Sequence, residues 1–138
     1  MLIGEYQNSI DAKGRVIIPA KYREDLGFRL IITKGIENCL YIYSMEEWER
    51  FEDKLQQLPI AESRSVVRYF FASAVECEID KQGRITIPLH LRDHARIEKD
   101  LVTIGARNRV EVWSRQEWDI YNEENNENIA EKMAELGI

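Results

Sequence analysis

The chain repeats itself, and that feature limits what it can fold into more than any other. Ile10-Asp11-Ala12-Lys13-Gly14-Arg15-Val16-Ile17-Ile18-Pro19 returns as Ile79-Asp80-Lys81-Gln82-Gly83-Arg84-Ile85-Thr86-Ile87-Pro88, 69 positions later (80 − 11). Farther along, Gly35, Asn38, Ser44, Glu47 and Trp48 match Gly105, Asn108, Ser114, Glu117 and Trp118 at 70 positions (105 − 35). On this matching, one extra residue has entered the second copy between the proline and the glycine. Two copies are too few for a solenoid, and one alone would be marginally stable. The expected arrangement is therefore a pseudo-twofold pair burying a shared core. The boundaries read as a first repeat over 1–58, a helical connector over 59–71, a second repeat over 72–124, and a C-terminal segment, 125–138, either helical or mobile.

Each copy carries the same succession of signals. A strand-like stretch (Tyr6 to Ile10; Val75 to Ile79) meets a tight polar turn (Asp11 to Gly14; Asp80 to Gly83), whose glycine can take positive φ. A second strand follows, Arg15 to Ile18 or Arg84 to Ile87, so the pattern reads as a hairpin. Pro19 and Pro88 suit the first position of a short helix, with Gly27 as a stop in the first copy. Two β-rich runs come next, Leu30 to Thr33 with Cys39 to Tyr43, and Leu101 to Ile104 with Val110 to Trp113.

A closing helix in each copy announces its start. Ser44-x-x-Glu47 and Ser114-x-x-Glu117 are capping boxes, and Tyr43 with Trp48, like Trp113 with Trp118, holds the two positions of a hydrophobic staple. Met45, Trp48, Phe51, Leu55 and Leu58 form one apolar stripe, predicted as core or subunit interface. The joining segment Ile60 to Ala74 holds Val66, Val67, Tyr69, Phe70 and Phe71, too apolar for a flexible linker, and predicts a helix. The polar, acidic stretch Asn122 to Asn128 predicts fraying of the last helix, with Ile129, Met133 and Leu136 as a docking turn or a mobile end.

Composition decides among function classes. No apolar run approaches the ~20 residues of a membrane span, and the N-terminus lacks the pattern of a signal peptide. Cys39 and Cys77 each lie in an apolar stretch and read as reduced buried thiols, so the expected compartment is the cytoplasm. The net charge of −6 opposes nucleic-acid binding at first sight. Its distribution softens that objection. Residues 1–35 hold six Lys/Arg against four Asp/Glu, and 76–109 hold seven against six, whereas 36–75 and 110–138 carry the acidity. A face built from the first parts of both copies can be locally positive.

The strongest candidate site is the pair of turns, Lys13-Gly14-Arg15 and Gln82-Gly83-Arg84. Glycine allows close approach to a polyanion, and the arginine fork matches a phosphate or the O6/N7 edge of guanine. The competing reading makes Asp11–Arg15 and Asp80–Arg84 salt bridges that brace the hairpin. The two are compatible if the aspartate orients the arginine. Lys21, Arg23, Arg92 and Arg96 on the short helices read equally as supporting phosphate contacts or as a solvated face. Arg107 and Arg109 flank Asn108 in a later turn where the first copy has Glu37 and Cys39, which argues against a shared role.

Catalysis finds little support. A pseudo-twofold aspartate pair suggests an aspartic protease, but those sites need Ser/Thr and Gly after the aspartate. Here Ala12-Lys13 and Lys81-Gln82 follow. His90 and His94 share a helix face near Asp93, yet no third metal ligand stands at a recognisable spacing. No phosphate-binding glycine-rich loop and no nucleophile–base set is nominated. The expectation is no enzyme, no metal, no cofactor and no small-molecule substrate.

Two copies of Asp-x-x-Gly-Arg followed by an Ile-Pro step (Ile18-Pro19, Ile87-Pro88), each ending in a Trp-bearing helix, closely resemble the MraZ family of bacteria along essentially the whole chain. One motif alone resembles the wider AbrB-like (SpoVT-AbrB) group. The resemblance implies an α+β fold, a tandem of two AbrB-like swapped-hairpin modules sharing a β-barrel-like core, each followed by helices. It implies a cytoplasmic, nucleoid-associated regulator that binds repeated promoter elements of double-stranded DNA ahead of the division and cell-wall gene cluster, as a ring-shaped homo-oligomer. The motif positions carry over as Asp11, Gly14, Arg15, Asp80, Gly83 and Arg84, with Lys13 a further contact whose counterpart is Gln82, so unequal contributions are expected. The alternative is an interaction module of the antidote type that AbrB-like domains provide, with the acidic segment Asn122 to Ile138 meeting a basic protein partner.

Overall fold

The computed structural model describes residues 1–138, and its element order repeats as the sequence does. The first copy comprises β1 (Glu5–Ser9), β2 (Arg15–Ile17), α1 (Ala20–Leu26), β3 (Arg29–Lys34), β4 (Cys39–Ser44) and α2 (Met45–Gln56). Helix α3 (Ile60–Ser73) follows. The second copy supplies β5 (Val75–Glu78), β6 (Arg84–Thr86), α4 (Leu89–His94), β7 (Asp100–Gly105), β8 (Val110–Ser114) and α5 (Arg115–Asn125), and α6 (Ile129–Leu136) ends the chain.

The two copies exchange strands. A six-stranded antiparallel sheet runs in the order β1-β7-β8-β4-β3-β5, and a separate two-stranded ribbon pairs β2 with β6. The order is symmetric about the β4–β8 pair, as a pseudo-twofold relation of the copies requires. The expected local hairpin differs in one respect. Its turn closes, with the Asp11 amide donating to the Arg15 carbonyl (3.0 Å) and the Gly14 amide to the Asp11 carbonyl (3.0 Å). Beyond the turn β1 leaves for β7 and β2 for β6, and Asn8 Nδ2 donating to the Ile17 carbonyl (2.9 Å) ties the two strands of the turn together.

Both faces of the large sheet are covered, which explains the almost unbroken burial along β3, β4 and β8. On one face Leu30, Ile32, Leu40, Ile42, Leu101, Val110 and Val112 meet Val16, Ile18, Ile85 and Ile87 of the ribbon, and Tyr22, Leu26 and Leu91 of α1 and α4, in a single 18-residue core. Sheet and ribbon thus enclose one core to which both copies contribute. On the other face Ile31, Cys39, Tyr41, Tyr43, Trp48, Phe70 and Trp113 form an aromatic layer beneath α2, α3 and α5. Ser44 Oγ accepts the Glu47 amide (3.1 Å) and Ser114 Oγ the Glu117 amide (3.0 Å), while Tyr43–Trp48 and Trp113–Trp118 pack at ring-centroid distances of 5.7 and 5.3 Å.

Two details depart from the sequence reading. Leu30 pairs with Ser44 and Leu101 with Ser114, so β3 and β7 correspond at 71 positions (101 − 30). Gly35 then matches Ala106, not Gly105: the Gly35 amide bonds to the Cys39 carbonyl and the Ala106 amide to that of Arg109, each at 2.8 Å. The second copy gains two residues before β7 and loses one in its next turn. Helix α5 also continues through Asn125, where fraying from Asn122 was expected; Asn125 Nδ2 returns to the Tyr121 carbonyl at 2.8 Å, and a 3-10 turn leads into α6. Every residue of α6 is exposed.

Candidate nucleic-acid interface

The β2–β6 ribbon brings together what the sequence holds 69 residues apart (84 − 15). Its register pairs Arg15 with Thr86, Val16 with Ile85 and Ile17 with Arg84. Strand side chains alternate, so one face of this short ladder enters the core and the other leaves it. Val16 and Ile85 are buried; Arg15, Ile17, Arg84 and Thr86 share the outer face. The two arginines are diagonal neighbours there, a relation that places residues roughly 7–8 Å apart and their Cβ atoms somewhat closer. Gly14 and Gly83 extend the ladder by accepting the Ile87 and Ile18 amides (both 2.8 Å). The Asp11–Gly14 and Asp80–Gly83 turns therefore sit at opposite ends of the ribbon.

Each turn has the same construction. Asp11 Oδ1 accepts the amides of Lys13 and Arg15 (2.9 Å each), and its Oδ2 accepts Arg15 Nε (2.7 Å). Asp80 repeats this with Gln82, Arg84 and Arg84 Nε, all at 2.9 Å. The carboxylate thus locks the turn and aims the arginine, and the salt bridge foreseen as a rival to DNA contact is present. It engages Nε alone. The Nη groups of Arg15 and Arg84 make no hydrogen bond to protein, and each side chain keeps about a quarter to a third of its exposure (31% and 25%). The Arg15 amide, above all, holds the Asp11 carboxyl below its ordinary value, and the Arg84 amide does the same for Asp80.

Gly14 and Gly83 are needed for two reasons. Their φ values, +79° and +80°, lie in the left-handed region, which costs an L-residue roughly 1–2 kcal/mol. Each also has a guanidinium of the other copy against it. A Cβ at Gly14 would stand 3.1 Å from the Ile87 carbonyl oxygen and 3.3 Å from Arg92 Cζ; one at Gly83 would stand 2.9 Å from Arg23 Cζ. Arg92 Nε donates to the Ile87 carbonyl (3.0 Å). Arg23 and Arg92 therefore cross the pseudo-twofold axis, each reaching the other copy's turn.

Among the remaining candidates, Lys13 and Lys21 are exposed, and neither ammonium has a hydrogen-bonding partner or an ion pair. Arg96 pairs with Glu117 at 2.9 Å. Arg109 lies over the Tyr41 ring (3.8 Å) and bonds to Glu111, which also accepts Trp113 Nε1 (3.1 Å). His90 and His94 contact the Ser73 and Glu37 carbonyls through Nε2, both at 3.1 Å. No group of three or more His, Cys, Asp or Glu is placed to hold a metal ion, and no helix is long and apolar enough to cross a membrane.

Sequence reasoning passed over Asn8 and the outward Ile17. Val16-Ile17-Ile18 is unbroken apolar, so the sequence of one copy does not tell which side chain leaves the core. Comparing copies does, since Thr86 stands where the first copy has Ile17.

The family model of the MraZ protein, described as antitoxin-like, matches residues 1–66 and 70–136. Proteins called "Transcriptional regulator MraZ" are similar over the full length of both chains: 56% identical in Acetivibrio thermocellus, 55% in Alkaliphilus oremlandii and 54% in a Thermoanaerobacter species. The solution structure of PHS018 from Pyrococcus horikoshii overlaps 81% of this chain and 88% of its own. Its identity is 18% and its TM-score 0.35, too low for its architecture to inform this one.

Proposed function

Given that this chain belongs to the MraZ family of transcriptional regulators, we propose that it regulates by binding double-stranded DNA sequence-specifically, with the β2–β6 ribbon and its two turns as the reading surface. The observation that carries this is the convergence of Arg15 and Arg84 on one outer face, each held by an aspartate at Nε with its Nη groups free. A two-stranded ribbon fits the major groove, where an arginine fork meets guanine O6/N7. Lys13 and Lys21 supply phosphate contacts, while the turn amides are engaged within the turns and serve to hold the arginines in place. Arg92 acts mainly by bracing the ribbon through the Ile87 carbonyl, and Arg23 is a supporting phosphate contact. Lys13 has Gln82 as its counterpart, so the first copy contributes more to phosphate neutralisation. The proposed activity needs no catalytic step, cofactor or small-molecule substrate, and a DNA-binding role of this kind is exercised on the nucleoid, in the cytoplasm.

Repeated promoter elements and a ring-shaped homo-oligomer complete the reading. Single contacts of this size are weak, and several ribbons on successive elements gain by avidity. Exposed Leu58, Ile60 and Val67 near α2 and α3, with Ile129, Met133 and Leu136 on α6, support self-association. The acidic segment Asn122 to Ile138, with α6 exposed within it, favours the second reading, an antidote-type module that binds a basic protein.

Genomic fragments recovered by the pure protein, beside an Arg15→Ala/Arg84→Ala variant, decide between them. Enrichment of closely spaced short repeats, steeply salt-dependent and lost in a variant that melts normally, is the expected result. Equal enrichment by the variant removes the arginines from the mechanism. A stoichiometric basic protein in place of DNA favours the second reading.

A further inference from the structure

Between the two arginines the outer face of the ribbon carries one apolar side chain that stays outside the core and half exposed. Ile17 lies directly opposite Arg84 and two residues along β2 from Arg15, and it is 53% exposed. Its neighbours in sequence, Val16 and Ile18, are at 1% and 0%. The backbone leaves it no freedom to turn inward, because a register shift would expel both of them from the core. Its carbonyl is held by Asn8 Nδ2 at 2.9 Å. A branched apolar group fixed in this way, flanked by two oriented guanidinium forks, is poorly placed for solubility and well placed for one task.

We propose that Ile17 is a specificity-determining residue that reads the 5-methyl group of a thymine beside the base pairs met by Arg15 and Arg84. The proposal rests on the ribbon being the DNA-reading surface. In the major groove thymine alone presents a methyl at C5, and apolar side chains recognise it by contact. The counterpart in the other half, Thr86, opposite Arg15, carries a single methyl beside a hydroxyl. The two halves of the face are therefore chemically unequal, and the methyl-reading half is the first.

The test uses the full chain and the duplex that wild-type protein enriches from a randomised pool, synthesised with thymine or with deoxyuridine throughout. Wild-type protein is expected to bind the deoxyuridine duplex about fourfold more weakly for each ribbon engaged, the factor set by burying one methyl group. Ile17→Ala is expected to bind both duplexes alike, at the wild-type deoxyuridine level, with little change in melting temperature because the side chain is half exposed and outside the core; Ile17→Val restores discrimination. Equal wild-type binding to both duplexes overturns the proposal, and so does discrimination that survives in Ile17→Ala. Failure of the wild type to enrich any duplex is a different result, which removes the DNA reading itself and this inference with it.

Discussion

Replacing either motif glycine by alanine should destabilise the protein, and the two losses should differ because of what each new methyl group meets. The left-handed φ is the same at both, +79° at Gly14 and +80° at Gly83, so the backbone cost is common, about 1–2 kcal/mol. At Gly14 the Cβ meets the Ile87 carbonyl oxygen at 3.1 Å. That oxygen belongs to a fully buried ribbon residue and accepts Arg92 Nε, so it has nowhere to retreat. At Gly83 the obstacle is the end of the Arg23 side chain, which can swing into solvent. Gly14→Ala should therefore lose about 1 kcal/mol more than Gly83→Ala, a difference of about 3–5 °C in melting temperature for a domain of this size. Urea unfolding followed by tryptophan fluorescence, with unchanged m-values, measures both. Adding Arg23→Ala should bring the cost of Gly83→Ala down to the backbone share alone. Equal losses would refute the carbonyl argument, and a loss in neither would refute the conformational one.

Acid should weaken the fold through the two turn aspartates. Their carboxyls are held below the ordinary 3.8, so the stabilisation is present above that value and disappears as pH falls through the lowered native-state value. Melting temperature should hold level down to about pH 4 and drop below it, and Asp11→Asn/Asp80→Asn should flatten that drop; an unchanged acid limb would exclude them. Thiol chemistry offers a second check. Burial pushes Cys39 far up and Cys77 to about 11, so a thiol reagent at pH 8 should label the native protein slowly, Cys77 before Cys39 as pH rises. Prompt labelling of both at pH 8 would contradict the packing described for β4 and β5.

Much of this was legible in the repeat. The copies, the order of elements, the Ser44 and Ser114 caps, the aromatic staples and the helical connector all follow from local pattern, and the structure has them. The exchange of strands was open to the family resemblance but not to periodicity. A turn such as Asp11–Gly14 satisfies its own amides through Asp11 Oδ1, so it closes equally well in a local hairpin or a swapped one. What selects the swap is where Val16, Ile18, Ile85 and Ile87 find apolar contact, a long-range matter that no window of ten residues reports. The register at Gly35 failed for a related reason: Gly105 matches it in sequence, but insertions in loops leave sheet pairing untouched, and pairing decides equivalence.

The site shows why two copies in one chain differ from two identical subunits. In a homodimer every position on the reading face must appear twice, and the face is symmetric by construction. Here the aspartates, glycines and arginines that build the turns are kept in both halves, since each half needs the same turn. The positions free of that duty have diverged: Lys13 has Gln82 as its counterpart, Ile17 has Thr86, and Lys99, whose carbonyl takes the Ile10 amide, corresponds to Phe28, whose carbonyl takes that of Ile79. If the ribbon reads DNA as proposed, a face with a symmetric frame and unequal contacts prefers one orientation on a non-palindromic element. Its two orientations on such an element should differ in affinity by the sum of those contacts, and reverting Ile17 and Lys13 to the second copy's residues, as Ile17→Thr/Lys13→Gln, should narrow the gap.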